Sequence, residues 1–475
     1  MNQGQILKGN DSQHVFDQLH DPRPFPSLSS EEHVLHTLTA IAGPYAFIYL
    51  DASSRKLLFG RDPLGRRSLL SRPLPEGGLS LCSIADQAQG PGWEEVESGG
   101  LHIIDLNSPD LMARHLPLPS DYFVLNRELP PSGEKNIDVQ QAVVRELQRH
   151  LVDSLSLRIK DVPTLGAPLN EKSAKLAILF SGGLDCTVLA RQTHEILPTE
   201  EAIDLINVAF QNPRAISAAS GLKQGASPYE SCPDRITGRL SYQELCQTCP
   251  GRTWRLVTVD VPYTESESHH DQIVALMAPH NTEMDLSISK ALYFAARAQG
   301  HVIRPDCEHE SPYKSQARVL LSGLGADELF GGYTRHATAC ARGGYRALQD
   351  ELELDIRRLG RRNLGRDDRV ISHWGKEVRY PYLDEKFMEW ALRLPVWRKC
   401  AFTPGNSNPD PKRPRDEIDS PSKSLDPAKR ILRLLALQLG MPGVAQEKKR
   451  AIQFGARTAK MYIGRGRSRG TDVIS

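Results

Sequence analysis

Lys175-Leu-Ala-Ile-Leu-Phe180-Ser181-Gly182-Gly183-Leu184-Asp185-Cys186 is the stretch on which the fold class turns. Its first six residues are a short apolar run of the kind seen in parallel strands buried on both faces. The two glycines then permit a sharp reversal, and Thr187-Val-Leu-Ala-Arg-Gln192 reads as a helix. Similar apolar runs recur at Asp204–Phe210, Arg255–Asp260 and Arg318–Ser322. Before them, Val143, Val144, Leu147, Leu151, Leu155 and Ile159 fall on one helical stripe. Strands alternating with helices predict an α/β doubly wound sheet within 138–465.

The Gly-Gly turn between a buried strand and a helix is also the best candidate for chemistry. It aims successive backbone N–H groups, and the positive end of the helix, at one point, which suits pyrophosphate. Asp185 beside a phosphate makes sense only if a cation such as Mg²⁺ sits between the two anions. No Gly-Lys-Ser/Thr follows, so the turn is not a Walker A loop. A second turn, Ser322-Gly323-Leu324-Gly325-Ala326-Asp327-Glu328, has the same plan. Both turns are expected at the carboxyl ends of strands, where ligands bind in open parallel sheets, with Asp185 and Asp327 sharing a metal. The bland reading of each acidic residue is a helix cap; the pairing of the two turns favours the site.

The N-terminal part has a different rhythm. Residues 34–70 read as strand, turn, strand, with Tyr45–Asp51 and Lys56–Gly60 as runs and Arg61-Asp-Pro-Leu-Gly65 as the break. Ser68–Leu70, Leu79–Ser83 and Gly100–Asp105 extend the pattern into an antiparallel β-rich domain over 1–108. A linker is expected over 109–137, loop insertions over 211–237 and 401–427, and a basic tail over 466–475. Lys412-Arg-Pro-Arg415 is more often a solvated loop than a nuclear signal. Cys246 and Cys249, with Cys232 upstream, have the spacing of half a zinc site, and free thiols are the preferred reading.

Composition narrows the class of function. The net charge of +1 in 475 residues gives no reason to expect a nucleic-acid or membrane partner. Mean hydropathy is −0.41, and no apolar run approaches the roughly 18 residues of a membrane span. The opening Met1-Asn-Gln-Gly-Gln-Ile lacks signal-peptide character, and eight cysteines are too few for a disulfide scaffold. A cytoplasmic protein with reduced thiols is expected.

Three blocks carry a family resemblance. Ser181–Cys186 resembles the PP-loop of ATP pyrophosphatases. Leu320–His336 and Val378–Pro395 resemble the two later signature blocks of asparagine synthetases. The β-rich part, with Ile41–Asp51 and Leu57–Leu70, resembles their class II glutamine amidotransferase domain. Leu205–Phe210, Pro233–Arg239 and Lys449–Lys460 are similar to segments of the asparagine synthetase domain-containing branch. The resemblance implies an α+β amidotransferase-like domain joined to an α/β ATP-pyrophosphatase domain. It implies a ligase that adenylates the aspartate β-carboxylate with ATP and Mg²⁺, then aminates it with ammonia drawn from glutamine. By the same resemblance Ser181, Gly182, Gly183, Leu184, Asp185 and Cys186 form the PP-loop, and Val208 holds adenosine. Ser322 and Gly323 contact ATP, and Asp185 and Asp327 bind the metal and carry catalysis. Lys449 and Arg450 grip pyrophosphate, while Asp11 and Lys290 bind substrate. A homodimer is left open.

Four departures temper this. The family's glutaminase nucleophile is an N-terminal Cys, whereas the first cysteine here is Cys82. About the first fifth of a family chain is therefore expected to be missing and glutamine hydrolysis lost. Leu324 stands where amide-forming members carry the Glu that takes a proton from ammonia. The stretch Met284–Lys290 has no Arg to grip a substrate carboxylate, and Ala451 stands in the family's pyrophosphate-lysine position. The nucleotide half is the better preserved, so the expected function is an asparagine-synthetase-like ATP-dependent ligase. The alternative is an ATP-binding pseudo-synthetase with a scaffolding or regulatory role.

Overall fold

The apolar runs become strands in the computed structural model, which describes residues 10–21, 27–75, 77–86, 88, 90–109, 111–119, 122–131, 141–162, 173–218, 227–304, 307–405, 425–461 and 469–474. The chain divides into two units: Met1–Phe123 with Arg357–Arg369, and Val124–Ile356 with Val370–Ser475.

The first unit begins with helices α1 (Asp11–His20) and α2 (Ser30–Thr39). Seven strands follow: β1 (Ala46–Asp51), β2 (Lys56–Arg61), β3 (Leu70–Pro73), β4 (Leu79–Cys82), β5 (Glu94–Glu95), β6 (Gly100–Asp105) and β7 (Arg114–Pro117). They form an antiparallel sheet in the order β1-β2-β6-β7 and a smaller one in the order β4-β3-β5. Because strand side chains alternate, β2 sends Leu58 toward Val34 and Leu38 of α2, and Phe59 toward Leu69 and Val96 on the other face. Ile103 and Ile104 of β6 divide in the same way.

The strand expected from residue 34 is corrected for 34–39, which are the end of α2. There Ser29 and Glu32 form a reciprocal capping box that starts the helix, and the strand reading missed it. Strand β7 lies inside the stretch expected as linker. The far segment Arg357–Arg369 completes this unit through charge. Glu95 accepts from Arg61 (2.9 Å) on one oxygen and Arg369 (2.7 Å) on the other, and Asp368 accepts from the Ser68 amide (3.0 Å).

The second unit is built on the predicted sheet. Strands β8 (Leu176–Leu179), β9 (Ile203–Phe210), β10 (Trp254–Val261), β11 (Gln299–Arg304), β12 (Cys307–Lys314), β13 (Val319–Leu321) and β14 (Glu377–Arg379) lie in the order β12-β11-β10-β9-β8-β13-β14. The five from β10 to β14 in that order are parallel, while β11 and β12 add an antiparallel edge. Every residue of β9 is buried, as a strand covered on both faces requires. The stripe read from sequence is the buried face of α3 (Gln141–Ile159), and α4 (Leu184–Ile196) follows the Gly-Gly turn.

One expected loop is corrected in part. Helix α5 (Pro213–Ala218) and the first turn of α6 (Pro233–Thr248) lie within 211–237. Pro233 at the first position of α6 is a helix starter rather than a loop marker. Residues 219–226, and 406–424 with Lys412–Arg415, fall outside the described residues. Of the basic tail, 469–474 are described, and Val473 bridges to Thr282. Among the described residues no helix is long and apolar enough to cross a membrane.

Candidate active site

The loop after β8 turns on glycine at the carboxyl end of that strand. Gly182 has φ +79°, and a Cβ on it would lie 2.5 Å from the Gly238 Cα of α6. Only a glycine facing a glycine permits that approach. Ser241 of α6 donates to the Gly182 carbonyl (2.6 Å), and Gly183 N-caps α4. Leu184 is buried as the first residue of that helix. Cys186 is also buried, donates to the Gly183 carbonyl (3.3 Å), and burial pushes its thiol above its ordinary pKa, so it is no nucleophile. Val208 lies buried on neighbouring β9.

The second turn repeats the first. The Gly183 amide donates to Ser181 Oγ at 3.3 Å, and the Leu324 amide donates to Ser322 Oγ at 3.3 Å. The turns touch: a Cβ on Gly323 would lie 3.0 Å from the Asp185 Cβ. Asp185 and Asp327 are brought together around a third group that sequence reasoning missed. Lys429 Nζ lies 2.5 Å from Asp185 Oδ2 and 2.6 Å from Asp327 Oδ1. Lys449 pairs with the other oxygen of Asp327 and sits 4.5 Å over the Tyr333 ring. Burial works against charge at Asp327, but the two ammoniums overcome it and hold the carboxyl well below its usual range. Burial likewise opposes a charged Lys429, and the two carboxylates overcome it, raising its pKa. At Asp185 burial wins over Lys429 and the pKa is raised. Next door, Glu328 is buried, which raises its pKa, and accepts from the Tyr333 hydroxyl (2.6 Å).

The family described as Asparagine synthase matches residues 311–343 and 340–459. Asparagine synthetase domain-containing protein 1 of Bos taurus is 31% identical over 96% of this chain and 84% of its own length. An asparagine synthetase domain-containing protein of Saccharomyces cerevisiae is 33% identical over 99% of this chain and 81% of its own. This chain belongs to the asparagine synthetase family. The glutamine-hydrolysing asparagine synthetase of Gallus gallus is more distant, 23% identical over 76% of this chain and 57% of its own length.

In this member of the asparagine synthetase family the opposite flank of the loop is differently charged. Arg450 Nη1 donates to Thr237 Oγ1 (2.7 Å) and lies 3.2 Å from Glu447 Oε1. Asp234, in the first turn of α6, is buried with no ion pair among the described residues, and burial pushes its carboxyl up to about 7. Lys290 is not in the cluster: it is buried and paired with Glu267 (3.0 Å). Asp11 is an exposed first residue of α1, in the other unit, and accepts from the Ser12 amide (2.8 Å). Cys232 and Cys249 cap opposite ends of the 16-residue α6, about 26 Å apart at helical rise, so they cannot share a zinc ion.

Nothing local marks Lys429. It lies 244 residues from Asp185, just before an amphipathic helix, where a lone lysine reads as surface. The donor set suits a hard divalent cation in part. Among the described residues Asp185 Oδ1 is buried with no hydrogen-bond partner, which leaves one carboxylate oxygen for a metal. Both oxygens of Asp327 are held by ammoniums, so a metal there must displace one of them. Two carboxylates with phosphate oxygens are a usual set for Mg²⁺.

Proposed function

We propose that this protein activates a carboxylate with ATP, in the manner its family membership suggests: aspartate is adenylated and then aminated to asparagine. The observation that carries the reading is the meeting of Asp185 and Asp327, from two separate glycine turns, around one ammonium at the carboxyl ends of β8 and β13. A carboxylate oxygen attacks the α-phosphorus, a new P–O bond forms, and the α–β bridging bond breaks to release pyrophosphate. Ammonia nitrogen then bonds to the acyl carbon, AMP leaves with the C–O electron pair, and the nitrogen sheds a proton.

In this reading the amides of 181–184 and the N-terminus of α4 hold the polyphosphate, with Ser181 and Ser322 as hydroxyl donors. Lys449 and Arg450 flank the leaving pyrophosphate, and Val208 lies on the adenosine side. Mg²⁺, held by Asp185 and Asp327, supplies charge neutralisation on the phosphates. Lys429 keeps the carboxylates from repelling one another.

Cys82, the cysteine of the first unit, is half-buried on β4, and burial raises its thiol pKa, the reverse of what a nucleophile needs. Leu324 and the ammonium between the acidic pair favour a second reading, a protein that holds ATP without turning it over. The test is pyrophosphate release from ATP·Mg²⁺, with and without aspartate and ammonia, with Asp185→Ala as the blank. Aspartate-dependent release, with asparagine formed, is expected. Bound ATP with no release supports the second reading, and release that survives Asp185→Ala overturns the site.

A further inference from the structure

Two segments, Leu205–Phe210 and Pro233–Arg239, meet beneath the loop. Asn207 of β9 spends its amide completely. Its Nδ2 donates to the carbonyl of Phe180, the residue just before the loop, and to the carbonyl of Asp234 in the first turn of α6, both at 2.9 Å. Its Oδ1 accepts from Arg235 Nε at 2.7 Å. The same guanidinium is pinned by Glu230 (2.8 Å) and by Asp260 of β10 (2.6 Å). Asn207 is 1% exposed and Arg235 0%.

Gly238 completes the stack: a Cβ on it would lie 2.5 Å from Asn207 Nδ2, just as one on Gly182 would lie 2.5 Å from the Gly238 backbone. Loop, Gly238 and Asn207 are thus in direct contact, with no space for adjustment.

We infer that Asn207, braced by Arg235, is the positioning residue that sets the height and orientation of the Ser181–Cys186 loop for its nucleotide; the inference rests on the ATP reading above. Backbone donors act only when held within about 0.5 Å of the groups they bind. Asn207 joins β8, β9 and the start of α6, the elements that fix that loop, and Arg235 ties it to β10. Its two donors also satisfy buried carbonyls that an apolar residue would strand.

The test measures ATP·Mg²⁺ binding by calorimetry in the full chain, alongside urea midpoints. Asn207→Asp keeps the size and the Arg235 contact but turns two donors into acceptors. Gly238→Ala leaves residue 207 intact and drives a methyl into its amide. Arg252→Lys is the structural control. Arg252 is a buried arginine at the opposite ends of the strands, bound to the carbonyls of Glu201 and Leu197 at 2.7 Å each. Asn207→Asp and Gly238→Ala are expected to weaken ATP about tenfold or more in protein that remains folded. Arg252→Lys is expected to lower the urea midpoint with ATP affinity unchanged. Wild-type affinity in both loop variants overturns the inference, as does an equal loss in Arg252→Lys. Should Asn207→Asp fail to fold, Gly238→Ala decides. If the wild-type chain itself binds no ATP, the functional reading fails first.

Discussion

Asp327 and Asp234 are both carboxylates at the edge of one glycine loop, yet their surroundings drive them in opposite directions. Asp327 has an ammonium on each oxygen and is held charged. Asp234 is buried without an ion pair among the described residues, and its carboxyl is pushed up to about 7. The arginine nearest to it in charge, Arg450, spends its bonds on Thr237 and Glu447 instead. Burial pushes an acid toward its neutral form, and at Asp327 two close ammoniums outweigh it. The loop therefore has a side toward β13 where Asp327 is held charged and a side toward α6 where burial pushes Asp234 toward its neutral form.

The largest effect expected from breaking this contrast is at Lys429. Lys429→Met leaves two facing carboxylates without the cation between them, a loss of about 3–5 kcal/mol as for other broken buried pairs. Urea unfolding measures it, and added Mg²⁺ should restore more stability to this variant than to the wild type. A Mg²⁺ response no larger than that of wild type would argue against the shared cation position.

Asp234 sharpens the comparison through pH. Its native pKa is raised from 3.8 to about 7, so the folded state holds a proton that the unfolded chain releases. Its favourable contribution is present below about pH 4 and is lost as pH rises through 7. Asp234→Asn should match wild-type stability near pH 4 and exceed it at pH 8 by on the order of 3 kcal/mol. Parallel urea midpoints across that range would remove Asp234 as a titrating group.

The smallest effect on stability belongs to Lys449, which is partly exposed and shares Asp327 with Lys429. Lys449→Ala is expected to cost about 1 kcal/mol or less. Its pyrophosphate release should fall much further, because the side chain flanks the leaving group in the proposed reaction. An equal loss in both would make Lys449 a structural ion pair only.

Much of this was legible because it is local. The strand at Leu176–Leu179, the turn that follows it and the buried stripe of α3 each declare themselves within a few residues, through hydrophobic period and glycine placement. Helix α2 was harder, since its Val and Thr residues suit a strand and its start depends on the Ser29–Glu32 cap. The antiparallel edge of β11 and β12 escaped because their side chains do not form an apolar run.

The sequence by itself determined the central strands β8, β9, β10 and β13, the two glycine loops and the acidic residue that follows each. These follow from backbone freedom and burial over short windows. Only the tertiary structure decided what neutralises those acids, which arginine braces the loop, and that Arg357–Arg369 joins the first unit. The physical reason is that charge pairing acts through space. Lys429 and Asp185 are hundreds of residues apart along the chain and 2.5 Å apart in the fold, and no periodicity records that.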